Sequence, residues 1–158
     1  MFEVGDAVVY SSYGVARIVS LKEEKIQDSR QLCFILETAQ GALIKLPVEK
    51  AEAALREVVK EGEVSNVMQI LRRRGMKVDS EVWSRRLRDY KEKMRTGNIF
   101  SVAEIFRDLT LLKRTKDLSY SERRLLDQAR SLLVNELSIA NEVEISETER
   151  TVDEIFSK

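Results

Sequence analysis

One tryptophan, Trp83, stands in the most cationic stretch of a 158-residue chain. Arg85, Arg86 and Arg88 follow it within about one and a half helical turns, a spacing that sets guanidinium groups around an indole ring. A large apolar wedge among phosphate-seeking arginines is how minor-groove binders open a base step, with the arginines gripping the backbone through charge-assisted hydrogen bonds. Unstacking costs roughly a few kcal/mol per step, so such a wedge acts best where duplex meets melted DNA. The opposing reading is equally physical. Trp83 shares a helical stripe with Leu87, Tyr90 and Met94, and at that spacing a tryptophan is more often core. With Ser80 as the cap, Trp83 falls in the first turn, at the rim of a bundle, and both readings stay open.

The charge pattern bears on the choice. The chain carries 27 basic and 27 acidic side chains, but they are unevenly placed. Residues 72–95 hold ten basic residues (Arg72, Arg73, Arg74, Lys77, Arg85, Arg86, Arg88, Lys91, Lys93, Arg95) against four acidic ones. Residues 136–158 hold two against seven, and residues 1–60 hold eight against nine. The basic block is the footprint expected for a polyanion, nucleic acid first among them. It could equally be a solvated helix face braced by pairs such as Glu81–Arg85 and Asp89–Lys93.

The absences exclude much chemistry. With no histidine there is no Ser-His or Cys-His nucleophile and no imidazole metal ligand. The single cysteine, Cys33, cannot make an internal disulfide or a cysteine-rich zinc site, and it sits in an apolar run where a buried structural thiol is expected. The six glycines are scattered singly, so no phosphate-cradling loop is written into the chain. We expect no enzyme, no cofactor and no metal. No apolar run approaches the roughly 18 residues of a membrane span and no signal pattern is seen, so a cytoplasmic protein without membrane contact is expected.

The elements that must position these residues fall into two kinds. Up to about residue 50 the runs are short: Ala7-Val8-Val9-Tyr10, Val15-Ala16-Arg17-Ile18-Val19, Leu32-Cys33-Phe34-Ile35-Leu36 and Leu43-Ile44-Lys45-Leu46-Pro47, with Lys22–Arg30 as a polar hairpin connection. Four or five strands in so short a length predict a small, strongly bent antiparallel barrel, and Pro47 must end a strand or lie on an edge. Ala51–Val59 reads as helical. Beyond it the period becomes 3.6, with stripes at Val64, Val67, Met68, Leu71 and at Trp83, Leu87, Tyr90, Met94. Ser101–Glu104 and Ser119–Glu122 have the form of capping boxes, and Ser146–Glu149 opens a last short helix. Four or five amphipathic helices should pack as a bundle. The fold class expected is α+β, with residues 1–58 as the β-barrel domain and 59–158 as the all-α domain.

Taken in order, these segments resemble the CarD/CdnL family of bacterial RNA polymerase-binding transcription regulators. Val4-Gly5-Asp6-Ala7-Val8-Val9-Tyr10 with Tyr13-Gly14-Val15 is similar to its opening, and Gln40-Gly41 through Leu46-Pro47 to the end of its barrel. Trp83-Ser84-Arg85-Arg86, Arg107-Asp108-Leu109 and Leu118–Leu126 are similar to its helical half. The resemblance implies a Tudor-like barrel that binds the polymerase β subunit, and a helical domain on promoter DNA at the upstream edge of the transcription bubble. There Trp83 would wedge into the minor groove and prolong the open complex, at ribosomal RNA and other growth promoters. By position, Arg85, Arg86, Arg88 and Arg123 are its DNA contacts, and Lys45, Leu46 and Pro47 its polymerase-binding strand. Where some relatives have an arginine near residue 24, this chain has Glu23-Glu24-Lys25, so Lys25 is the substitute candidate. A monomer is expected. The competing expectation is a protein–protein adaptor that binds no DNA.

Overall fold

The computed structural model describes residues 1–74 and 80–157; of Ser12 and residues 80–86 it describes the backbone alone. The chain divides into two compact units, Met1–Val58 and Val59–Lys158.

The first unit is a five-stranded antiparallel sheet. Its strands are β1 (Ala7–Tyr10), β2 (Gly14–Ile26), β3 (Ser29–Thr38), β4 (Leu43–Pro47) and β5 (Leu55–Glu57), in the order β4-β3-β2-β1-β5. A seven-residue helix, α1 (Val48–Ala54), joins β4 to β5. Directly opposed residues share a face, which explains the core: Ile18 faces Leu36, Ala16 faces Thr38, and Phe34 faces Leu46. Val8, Ala16, Ile18, Phe34, Leu36 and Leu46 cluster with Ala51 of α1 and Leu55 of β5. A bulge between Ile18 and Ser20 inserts Val19, so that Leu21 rather than Ser20 continues the face of Ile18. The chain turns from β1 into β2 through a single 3-10 turn at Ser11–Tyr13, where Gly14 takes φ 83°.

Three sequence expectations need correction here. The barrel is not closed: β4 and β5 are the two edges of an open sheet and do not pair. The expected helix over Ala51–Val59 gives way after Ala54 to β5, because Leu55, Arg56 and Glu57 take up pairing with Tyr10, Val9 and Val8. The supposed polar connection Lys22–Arg30 is mostly strand. β2 and β3 run on as a two-stranded ribbon as far as Ile26 opposite Ser29, with Gln27 at φ 57° in the turn. A ribbon wet on both faces needs no apolar alternation, so periodicity could not reveal it.

Among its described residues the second unit holds five helices: α2 (Glu61–Arg72), α3 (Ser80–Thr96), α4 (Ile99–Lys113), α5 (Tyr120–Asn141) and α6 (Ile145–Phe156). α4 lies at its centre, with Val102, Ala103, Ile105, Phe106, Leu109 and Leu112 all buried. Val67 and Leu71 of α2, Met94 of α3, Ala129, Leu133 and Leu137 of α5, and Val152 of α6 complete one core. The start of α4 departs from the sequence reading. Asn98 caps it, its side-chain oxygen accepting from the N–H groups of Phe100 and Ser101, so Ser101 is already the third residue of the helix. The second box forms as read. Ser119 Oγ accepts from the Glu122 N–H at 3.2 Å, and Glu122 accepts from the Ser119 N–H at 2.8 Å.

Candidate functional site

α3 carries most of the basic block. On its described part, Arg88, Asp89, Lys91, Glu92, Lys93 and Arg95 are exposed, whereas Tyr90 and Met94 are buried and Leu87 is half-buried. This is the two-sided pattern that a period of 3.6 imposes: an apolar seam toward α4 and a charged face toward water. Gly97, at φ 71°, closes the helix, its N–H donating to the Met94 carbonyl. Trp83, Arg85 and Arg86 occupy the first two turns of α3, and their side chains lie outside the described residues. Arg123 is exposed in the first turn of α5.

A further group of cations stands at the end of α2. The Arg74 guanidinium donates to the carbonyls of Leu71, Arg73 and Ile155 at 2.8, 3.0 and 3.0 Å, and it lies 4.8 Å from the centre of the Phe156 ring. Arg114 donates to the Phe156 carbonyl. Loss of solvation, then repulsion from Arg114 and Arg107, holds the Arg74 pKa below its ordinary value. Arginines here cap the carbonyl end of α6, whose partial negative charge favours them.

Beneath α3 lies a polar network whose residues Arg107 and Asp108 the sequence marked only as part of the family resemblance, with no partner or role. Arg107 and Asp108, consecutive in α4, are only 3% and 4% exposed. Arg107 Nε and Nη2 each approach Asp108 Oδ1 at 3.0 Å. Tyr90 of α3 donates its hydroxyl to Asp108 Oδ2 at 3.1 Å, and Arg107 Nη1 donates to the Ile70 carbonyl of α2 at 3.2 Å. The signal was present in the sequence: two adjacent charges inside the apolar stripe Val102–Leu112, where a charge persists only if partnered.

In the first unit, Lys45 is exposed on the edge strand β4, and its Nζ lies 3.3 Å from Glu24 Oε2. Lys25 is exposed on the β2–β3 ribbon, opposite Arg30. Pro47, at the end of β4 opposite Cys33, is half-buried. Leu46 is different. At 4% exposure its side chain belongs to the core of the sheet, leaving its edge backbone as the part available to a partner. Cys33 is fully buried. Among the described residues no cluster of three or more cysteine or carboxylate side chains could hold a metal ion. Nor is any described helix long and apolar enough to cross a membrane.

Comparison with known proteins follows the two units. Residues 2–59 match the family model described as the CarD-like/TRCF RID domain, and residues 66–153 match that of the CarD C-terminal domain. A Bacillus subtilis (strain 168) protein named "Putative transcription factor YdeB" is 28% identical over 141 residues, covering 88% of this chain and 92% of that protein.

Proposed function

Since this chain belongs to the CarD family, we propose that it is a transcription factor joining the RNA polymerase β subunit to promoter DNA. In this reading the first unit binds polymerase along the open edge of its sheet, where unpaired backbone groups of β4 can accept a strand from the partner and where Lys45 is exposed. The second unit lies on DNA at the upstream edge of the bubble. Arg88 of α3 and Arg123 of α5 hold phosphates with Arg85 and Arg86, and Trp83 wedges into the minor groove to slow bubble collapse.

The observation that carries this reading is the match of both units, in order, to the two CarD domain models. The exposed cations of α3 supply the electrostatics. With few phosphates neutralised, isolated DNA binding is weak and strongly salt-dependent, falling with a slope of about −0.9 per contact. Tethering by polymerase raises the effective concentration of the DNA-binding unit and supplies the missing affinity.

The experiment is the lifetime of open complexes formed with purified polymerase, comparing the wild-type chain with Trp83→Ala. A wedge that offsets even part of the unstacking cost predicts a lifetime shortened by about tenfold, since each 1.4 kcal/mol is a factor of ten. A folded Trp83→Ala protein that preserves the lifetime removes the wedge. One observation favours the adaptor reading: Tyr90 and Met94, which share the stripe of Trp83, are core residues. Tryptophan fluorescence separates the two. Emission open to quenchers supports the wedge, and blue-shifted, protected emission supports a buried Trp83 and an adaptor.

A further inference from the structure

The pair Arg107–Asp108 lies too deep to offer its charges to either proposed partner, at 3% and 4% exposure. Its geometry gives it a different task. Asp108 spends one carboxylate oxygen on the Arg107 guanidinium and the other on the Tyr90 hydroxyl, while Arg107 reaches back to the Ile70 carbonyl. One carboxylate of α4 is thereby linked to the last turn of α2 and to the middle of α3.

A link of this kind bears directly on α3. On its described part the apolar seam consists of Leu87, Tyr90 and Met94. Apolar burial is non-directional, so these contacts fix the distance of α3 from α4 better than they fix its rotation. A hydrogen bond to a charged acceptor is directional and weakens steeply as its angle opens. Rotating a helix by about 20° moves side-chain ends some 6 Å from the axis by about 2 Å, enough to break a phosphate hydrogen bond.

We propose that Tyr90, Asp108 and Arg107 are positioning residues: a latch that sets the rotation of α3 and thus where its cationic face, and Trp83 seven residues before Tyr90, meet DNA. This rests on the DNA-binding reading given above, and none of the three touches DNA.

Tyr90→Phe tests it, because this change removes one oxygen and keeps the ring in the core. In the full-length chain, hydrogen exchange at the amides of Arg88–Met94 should quicken by roughly tenfold or more, the worth of one hydrogen bond to a charged group, while those in the middle of α5 keep their rates. Open-complex lifetime should fall severalfold in Tyr90→Phe, with a smaller further fall when it is added to Trp83→Ala, because only the cationic face then remains to be misplaced. Tyr90→Leu, which also removes the ring, should lower the melting temperature further without shortening the lifetime beyond that of Tyr90→Phe. Exchange that quickens equally in α3 and α5, or a lifetime that tracks melting temperature across the two variants, would overturn the latch. Failure of Trp83→Ala alone to change lifetime would instead sink the wedge, with the exchange pattern still deciding whether Tyr90 fixes α3.

Discussion

Reversing the charge at Lys45 separates a surface contact from a structural one. Lys45 Nζ lies 3.3 Å from Glu24 Oε2, with the two side chains 62% and 28% exposed. Two unit charges at that distance attract by about 1.3 kcal/mol in bulk water, and exposed pairs of this kind deliver about 0.2–1 kcal/mol once side-chain entropy is counted. Lys45→Glu loses that attraction and sets two carboxylates together, so its total cost to folding is about 1–2 kcal/mol, which lowers melting by several degrees without unfolding the sheet. If Lys45 faces an acidic surface of the β subunit, the cost to binding is larger. Like charges brought together across an interface cost several kcal/mol, which predicts at least a tenfold loss of affinity at low salt. The loss should shrink as salt rises and the Debye length drops below about 10 Å. Glu24→Gln supplies the opposite arm: it releases Lys45 from its internal partner and should raise affinity by twofold or more. Calorimetric titration of a β-subunit fragment at two salt concentrations reads both. Affinity within twofold of wild type for both variants, with native circular dichroism, would refute the placement of the polymerase contact on this edge.

Two further outcomes follow from the geometry. Burial raises the Glu122 carboxyl pKa, but the Ser119 N–H and the Lys116 ammonium at 3.2 Å outweigh it and hold the group below its ordinary value. Its stabilising contribution is therefore complete above the ordinary carboxylate range and is lost as pH falls through the depressed pKa; Glu122→Gln should melt about 5 °C lower at neutral pH and lose less on acidification, and parallel melting curves from pH 7 to pH 3 would contradict this. Cys33 should react with a thiol reagent only as fast as the sheet opens, so rapid labelling of the native chain would show that its burial is wrong.

The change of period near residue 50, the fold class and the helix stripes were legible in the residues, because local burial writes its period directly into the sequence. The Ser119–Glu122 box was legible for the same reason: its two bonds span three residues. The α4 cap was misplaced by a few residues, since Asn98 and Ser101 are both good caps and only the backbone path chooses between them. At the candidate site, the exposed cations of α3 and Lys45 on an edge strand could be named in advance. Leu46 could not be assigned a direction until the register set it opposite Phe34.

What the sequence determined alone was composition and local pattern: two kinds of architecture, a cationic block, and no histidine-based or thiol-relay chemistry. The tertiary structure decided what depends on residues far apart in the chain. It left β4 and β5 as unpaired edges, paired Leu55–Glu57 with β1, drew Glu24 to Lys45 across an intervening strand, and joined Tyr90 to Asp108 over eighteen residues. Periodicity reports which side of an element is dry, whereas which two dry sides meet depends on packing that no local window contains.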